Sequence, residues 1–321
     1  MVLVLPSVGR LNDTDDAVTQ LVQDPLLQDA NKRFLEKKRD LPLAASYRAA
    51  CALMGEQALV DFSQEDWHIG STDATTCLIA VVMCHKTYKA WAAHYNSGFA
   101  EQDTSILELL PRHMQNPDLW LVGSFREPSG ESAATLLGVL RQFQECDLMF
   151  NVRLACVDLN NTDSAGAPYA LNLVVRCADG VDPNPAGFIN RGPELPRRMA
   201  HHNIAASWGL RHIVDTDTSR LRIPGFLYLQ LSPNYLHYFD EQLKLPDAVF
   251  LSRNSTSPDF EPPNFVDDIK AAYSYMAKLV EEGTTTVPDM WFEWGADTVT
   301  DNDECKRWRP VQVASRLIAS Y

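Results

Sequence analysis

Between residues 78 and 176 the chain sets out five short runs of β-branched, aromatic and small apolar residues: "LIAVVM" (78–83), "AWAAHY" (90–95), "LWLVGSF" (119–125), "VRLACVDL" (152–159) and "YALNLVVR" (169–176). Asn, Gly, Pro or Asp bound each run, as they bound strands, so the segment predicts a sheet. Between the third and fourth runs, "SGESAATLLGVLRQFQEC" puts apolar residues at 133, 136, 137, 140 and 143 on one helical face, with Ser129 or Ser132 as its cap. Such a helix covers one side of the sheet. Upstream, residues 15–60 alternate acidic and apolar positions at helical spacing, including "NKRFLEKKRD" and "ALMGEQALV", which predicts two or three surface helices. The last third, with "ELPRR", "RIPGF", "LSPNY" and "FEPPN", reads as loops and short strands broken by proline; a helix, "NFVDDIKAAYSYMAKLVEE", then starts after Pro262-Pro263. No repeat, low-complexity tract or long Gly/Ser linker divides the chain. The expectation is one α+β domain over residues 1–321, with 1–66 its helical N-terminal portion.

Charge narrows the partners. Lys and Arg number 28 against 42 Asp and Glu, a net charge of −14, which repels nucleic acid and anionic membranes and draws in cations such as a peptide α-ammonium. The first residues hold only a five-residue apolar run with no basic region before it, unlike a signal peptide, and no apolar run approaches the ~20 residues of a membrane span. These features predict a cytoplasmic or nuclear protein. Seven cysteines without a CxxC pair fit neither a disulfide framework nor a zinc knuckle, so most should be small buried hydrophobes. Asn12 and Asn254 begin glycosylation-acceptor patterns, which carry no meaning in a chain that is not secreted.

The stretch "GSTDATTCLIAVVMC" (70–84) places Cys77 at the first step of a buried strand. Cysteines there ordinarily pack. Here the preceding "STDATT" offers backbone N–H groups and hydroxyls suited to a thiolate or an oxyanion, with the amides near Thr76 and Cys77 as candidate oxyanion donors. If 78–83 and 90–95 form a hairpin about Thr87, His94 lies roughly opposite position 80, one or two residues off the thiol, as a base for it. Ser71, six residues before Cys77, is either the group orienting the far imidazole nitrogen or a turn residue. His85 reads as an exposed turn histidine. His201 and His202 are adjacent, would point to opposite faces of a strand, and have no third ligand at a telling spacing, so no metal is expected.

The block "GSTDATTCLIAVV" resembles the signature of protein N-terminal asparagine amidohydrolases, which deamidate an exposed N-terminal Asn to Asp. Four more blocks agree in order: "LWLVGSF", "NRGPE" (190–194), "SRLRIPGF" (219–226) and "NSTSPDFEPPNFVDDIK" (254–270). They span residues 70 to 270 discontinuously. The Cys-to-His spacing and the hydroxyl six residues before the Cys also resemble the chemotaxis-receptor and toxin glutamine deamidases at the level of fold. The resemblance implies an α-β-β sandwich with a cysteine-hydrolase, deamidase-like active site, no cofactor, Cys77 as nucleophile with His94 and Ser71, and a product feeding the N-degron pathway of protein degradation. Partners are then proteins or peptides with a free N-terminal Asn, and the enzyme a monomer.

Selectivity for a free N-terminus asks for an acid near the cavity mouth. Asp73, Glu194 and Glu261 are the candidates, each with a structural alternative as turn former, first-turn helix acid or surface acid, and Arg191 is either a brace for one of them or exposed. Phe125 and the 255–257 loop, with Ser255, are candidates for setting pocket depth. Two other readings stay open: a cysteine deamidase of another protein amide such as an internal glutamine, and a module that binds N-terminal residues without turnover.

Overall fold

The computed structural model describes residues 2–11, 16–37, 48–63, 65–96, 103–177, 183–185, 187–188, 190–202, 209–227, 233–283, 286–296 and 306–311. Its centre is Leu78–Cys84, a strand whose seven side chains are all buried. Burial on both faces explains the unbroken apolar run, since a one-sided strand would alternate with polar residues. A four-residue turn, 85–88, returns the chain as Lys89–Tyr95, and Asp118–Phe125 pairs on the other edge. These form the middle of an eight-stranded sheet ordered Arg211–His212, Glu56–Asp61, Lys89–Tyr95, Leu78–Cys84, Asp118–Phe125, Met149–Asp158, Val2–Leu5, Gly9–Leu11.

The two faces of this sheet have different cores. Leu78, Ala80 and Val82 pack with Leu21, Leu27, Leu136, Leu140 and Phe143 from the helices Ala17–Gln23, Pro25–Glu36 and Glu131–Glu145. Ile79, Val81 and Met83 pack instead with Ile69, Leu173 and Val175 of a second sheet, ordered Leu171–Arg176, Trp67–Ala74, Arg48–Cys51. The layers therefore run helix, large sheet, small sheet. Each fully buried aliphatic side chain in such a core contributes ~1.5–3 kcal/mol. The core between the two sheets continues into the helices Glu194–His202, Pro233–Leu243, Asp247–Asn254 and Phe265–Glu281, knit by Tyr273 against Phe239 and Phe250, and into a four-stranded sheet of Val214–Asp215, Arg220–Ile223, Met290–Ala296 and Lys306–Pro310.

Several expectations change. The segment 52–60 is a turn and the strand Glu56–Asp61 instead of a third helix, because its apolar residues are buried against the sheet on successive positions. The helix at 131–145 forms, but its cap is Gly130 in the left-handed region, and the Glu127 carboxylate takes the N–H groups of Ser129, Gly130 and Ser132 in place of a serine cap. The proline-rich last third holds three helices where the sequence reading set loops and short strands, although it weighed Glu194 as a first-turn helix acid, which it is. Pro233 begins one of them and Pro246 caps another, where a missing N–H costs nothing. Asn12 lies outside the described residues. Among the described residues no helix is long and apolar enough to cross a membrane.

Candidate functional site

The stretch 70–84 is not a loop followed by a strand. Trp67–Ala74 is a strand of the small sheet, residues 75–77 bend, and Leu78–Cys84 enters the large one, so Cys77 sits where the chain crosses between layers. Five of the six described cysteines are buried, and Cys77 alone is partly exposed. It opens on a cavity of about 210 Å³ whose wall includes Cys77, His94, Met54, Asp73 and Glu261.

His94 reaches this cavity through the hairpin register. It pairs with Ile79, not with Ala80 as the sequence suggested, because the four-residue turn centres half a residue earlier than Thr87. That single step decides the outcome, since a one-residue slip would turn His94 to the helical face. With Ile79 as its partner, His94 shares the face of Cys77.

Ser71 Oγ lies 2.7 Å from His94 Nδ1 and donates its hydroxyl proton to the Ala52 carbonyl. A hydroxyl has one proton to give, so toward His94 it accepts, which assigns the proton to Nδ1 and leaves the Nε2 lone pair free. Ser71 is fully buried on a strand, and the turn reading fails. Burial pushes the imidazole down to about 4 against the opposing charges of Asp73 and Glu56. It likewise pushes the Cys77 thiol up to about 12, with Glu261 adding to the rise and the Thr76 hydroxyl opposing it. The resting pair is thus neutral thiol and neutral imidazole. The thiol also contacts Met54 Sδ at 3.9 Å.

Gly123, in "LWLVGSF", has φ +109, and a Cβ there would stand 2.1 Å from the Cys77 carbonyl oxygen. Ser124 N–H donates to that same oxygen at 2.8 Å. The glycine lets the neighbouring strand clamp the Cys77 backbone.

Asp73 lines the cavity from an irregularity in the small sheet: its φ is 62° and the register shifts opposite, between Leu171 and Leu173. Such a bulge re-aims a side chain. Its carboxylate pairs with Arg191 at 3.0 Å. Arg191 also lies 3.6 Å from Glu194, and Arg198 joins Glu194 at 3.0 Å and Asp268 at 3.1 Å. Glu194 is in the first turn of its helix, behind these arginines and off the cavity wall, while Arg191 and Arg198 line it.

The segment 254–262 closes the other side. Thr75 meets Ser257 at 2.7 Å and Thr76 meets Thr256 at 2.8 Å, hydroxyl to hydroxyl, tying this segment to the Cys77 bend. Ser255 donates to Glu261 at 2.5 Å. Burial raises the Glu261 carboxyl, and no ion pair engages it among the described residues. Phe125 does not line the cavity; it is buried against Phe260, ring centroids 6.1 Å apart, and braces the segment from behind.

His85 is exposed in the hairpin turn, as expected. His201 and His202 end a helix instead of lying on a strand, and among the described residues no group of three or more His, Cys, Asp or Glu could hold a metal ion. The sequence reading named the 255–257 loop, which supplies Ser255 and Thr256 to the cavity wall, but missed Met54, Asn96 and Arg198 there. Asn96 was within reach of the hairpin register; Met54 lay in the segment misread as helix.

Residues 46–291, more than half of the chain, match the model of a family described as protein N-terminal asparagine amidohydrolase. Among known proteins, the chain is 27% identical over 232 residues to the protein N-terminal asparagine amidohydrolase of Sus scrofa, covering 68% of this chain and 71% of that one. The Homo sapiens protein of the same name is 27% identical over 222 residues (65% and 68%), and that of Mus musculus 26% over 222 residues (66% and 68%).

Proposed function

The chain belongs to the protein N-terminal asparagine amidohydrolase family, and on that premise we propose that it hydrolyses the side-chain amide of an N-terminal asparagine to aspartate through a thioester on Cys77. The observation that carries this reading is the neutral Cys77–His94 pair: both line one cavity on one sheet face, and Ser71 holds the imidazole with Nε2 unprotonated.

His94 Nε2 takes the thiol proton as sulfur bonds to the carboxamide carbon and the carbonyl electron pair moves to oxygen. The amides of Thr76 and Cys77, for which no acceptor stands among the described residues, then receive that oxyanion. As the C–N bond breaks, the nitrogen takes the proton from His94 and leaves as ammonia. Water then gives a proton to His94 and its oxygen to the thioester carbon; the C–S bond breaks, sulfur recovers the proton, and aspartate departs. The net change is amide plus water to acid plus ammonia, with no other reactant. The new N-terminal Asp is the species that would feed the N-degron pathway.

A neutral resting pair suits a buried site, since no charge is desolvated before substrate arrives. The α-ammonium brings the positive charge, and Glu261 and Asp73 face the cavity to meet it. Glu261 is the stronger anchor, because Asp73 already pairs with Arg191. Glu194 acts one layer back by holding Arg191 and Arg198. Ser255 orients Glu261, and Phe125 supports the depth of the pocket through Phe260.

The test is mass spectrometry of three peptides differing only at the start, free Asn, free Gln and acetylated Asn, with wild type and Cys77→Ala. Conversion of free Asn alone, lost in the variant, is expected. Turnover of acetylated Asn would remove the ammonium anchor from the account, and activity retained in Cys77→Ala would remove the thioester.

A further inference from the structure

The ladder that brings His94 onto the face of Cys77 brings a third side chain with it. Leu78 pairs with Tyr95 and Ile79 with His94, so one step beyond the strand ends Asn96 comes across from Cys77 itself. Asn96 is two residues from His94 and continues its face. It lines the same cavity. Its Oδ1 is buried with no hydrogen-bond partner among the described residues, although nearly all buried side-chain oxygens find one. An orphaned amide oxygen of a residue that shares a cavity with the Cys77 thiol is an acceptor for which the described residues supply no donor.

We propose that Asn96 Oδ1 reads the substrate's side-chain amide by accepting an N–H of the group that will leave. The proposal rests on the deamidase reading of the site. With the carbonyl carbon over sulfur and the oxygen toward the Thr76 and Cys77 amides, the NH2 group is the remaining arm, and it alone carries donors. The product replaces that arm with a carboxylate oxygen, which has lone pairs and no proton. Oδ1 then faces an acceptor, so the contact that holds asparagine expels aspartate. One residue thereby serves substrate selection and product release. The opposite rotamer, with Nδ2 toward the ligand, would do the reverse and favour the product.

Calorimetric titrations of Cys77→Ala and of Cys77→Ala/Asn96→Leu, with two peptides that begin with free Asn or free Asp and are otherwise identical, test this directly. Cys77→Ala should bind the Asn peptide about tenfold or more tightly than the Asp peptide, and the near-isosteric Leu should erase that preference. In otherwise wild-type protein, Asn96→Leu should raise KM by about tenfold, strengthen inhibition by the Asp peptide and leave Tm no lower, because an unsatisfied buried group has been removed. Asn96→Asp, which keeps an acceptor and adds charge, should widen the preference, and it carries the test if the Leu variant does not fold. An unchanged preference in the Leu variant, or tighter binding of the Asp peptide by Cys77→Ala, overturns the role of Asn96 while wild-type turnover leaves the deamidase reading standing. If wild type converts no free-Asn peptide and Cys77→Ala binds none, the deamidase reading itself falls, and this assignment with it.

Discussion

Ser71 Oγ stands 2.7 Å from His94 Nδ1 while its own proton is committed to the Ala52 carbonyl. The two contacts together determine which imidazole nitrogen is the base, and they do so across two sheets: Ser71 belongs to the small sheet and His94 to the large one. Packing of the layers is therefore what sets the protonation state of the site.

Replacing Ser71 tests that relation. Ser71→Ala removes the acceptor for Nδ1–H, and the alternative tautomer would turn a protonated Nε2 toward sulfur. The loss in kcat should be about tenfold to a hundredfold, more than the hydrogen bond alone is worth. Ser71→Thr, which keeps the hydroxyl, should recover most of it. Steady-state kinetics on a free-Asn peptide decide the matter: Ser71→Ala at wild-type kcat would show that His94 is held by its packing alone.

The low value of His94 has consequences for pH. An imidazole at about 4 stays a neutral base through the weakly acidic range, so kcat/KM should hold level down to about pH 5 and fall on the alkaline side near pH 8, where the substrate's α-ammonium deprotonates. An acid limb at 6.5 would mean that the imidazole is solvated when substrate binds. Stability follows the same groups. His94 and His68 both sit near 4 in the folded chain because of burial, whereas in the unfolded chain they titrate near 6.5. Between pH 6.5 and 4 the unfolded state binds more protons, so stability is full above 6.5 and declines as pH falls through that window, by roughly 3 kcal/mol at most for each histidine. Urea midpoints at pH 7 and pH 4.5 should differ less in His94→Gln than in wild type; an equal difference would contradict the burial argument.

Much of the large sheet was legible because burial on both faces leaves no polar residue to confuse the pattern, as in "LIAVVM" and "LWLVGSF". The strand Trp67–Ala74 was not. Its "GSTDA" end carries small polar residues because it walls a cavity, and such residues read as loop wherever packing does not override them. Ser71 was thus found for its spacing and misplaced for its structure. Cys77 and His94 were legible through the hairpin, but their shared face hung on half a residue in a turn. Glu261, Asp73 and Glu194 were recognised as acids and Arg191 as a brace for one of them, but which acid Arg191 meets at the cavity was not legible, because Asp73 lies 118 residues away in sequence and no local pattern reveals that pairing.

Gly123 offers a sharper test of how Cys77 is placed. The Ala side chain of Gly123→Ala must push against the Cys77 carbonyl, 2.1 Å from its Cβ, and an ångström of displacement at a reacting atom can cost about a hundredfold. A loss of kcat/KM of that order is expected, together with reduced stability. Gly130→Ala is the control: its φ is +82, but nothing lies within 4 Å of the added carbon. It should lower stability by about 1 kcal/mol and leave kcat/KM unchanged. Equal kinetic losses in both variants would show that global softening, not the clamp on Cys77, is responsible.

The buried pair Glu56–Arg197 should prove to be a support of the cavity floor. Both residues are almost fully excluded from solvent, and Arg197 Nη2 lies 2.5 Å from Glu56 Oε2 while also donating to the Cys51 carbonyl. Glu56 in turn accepts the Leu53 N–H at 2.8 Å, and Gly55 N–H donates to the His94 carbonyl at 3.0 Å. The turn that presents Met54 to Cys77 is thus pinned at both ends. Removing one partner of a buried pair costs ~3–5 kcal/mol, and Arg197→Met leaves Glu56 with the more distant Arg211, at 3.7 Å, as its counter-charge, so the variant should be destabilised in urea. Glu56→Gln/Arg197→Met, which removes both charges but takes the carboxylate from Arg211, 3.7 Å from Glu56, should recover part of the lost stability yet remain impaired in kcat/KM, because Leu53 and the Cys51 carbonyl lose their charged partners. If the double variant were both stable and fully active, the turn would be held by its backbone alone and the ion pair would have no part in placing Met54 against the thiol.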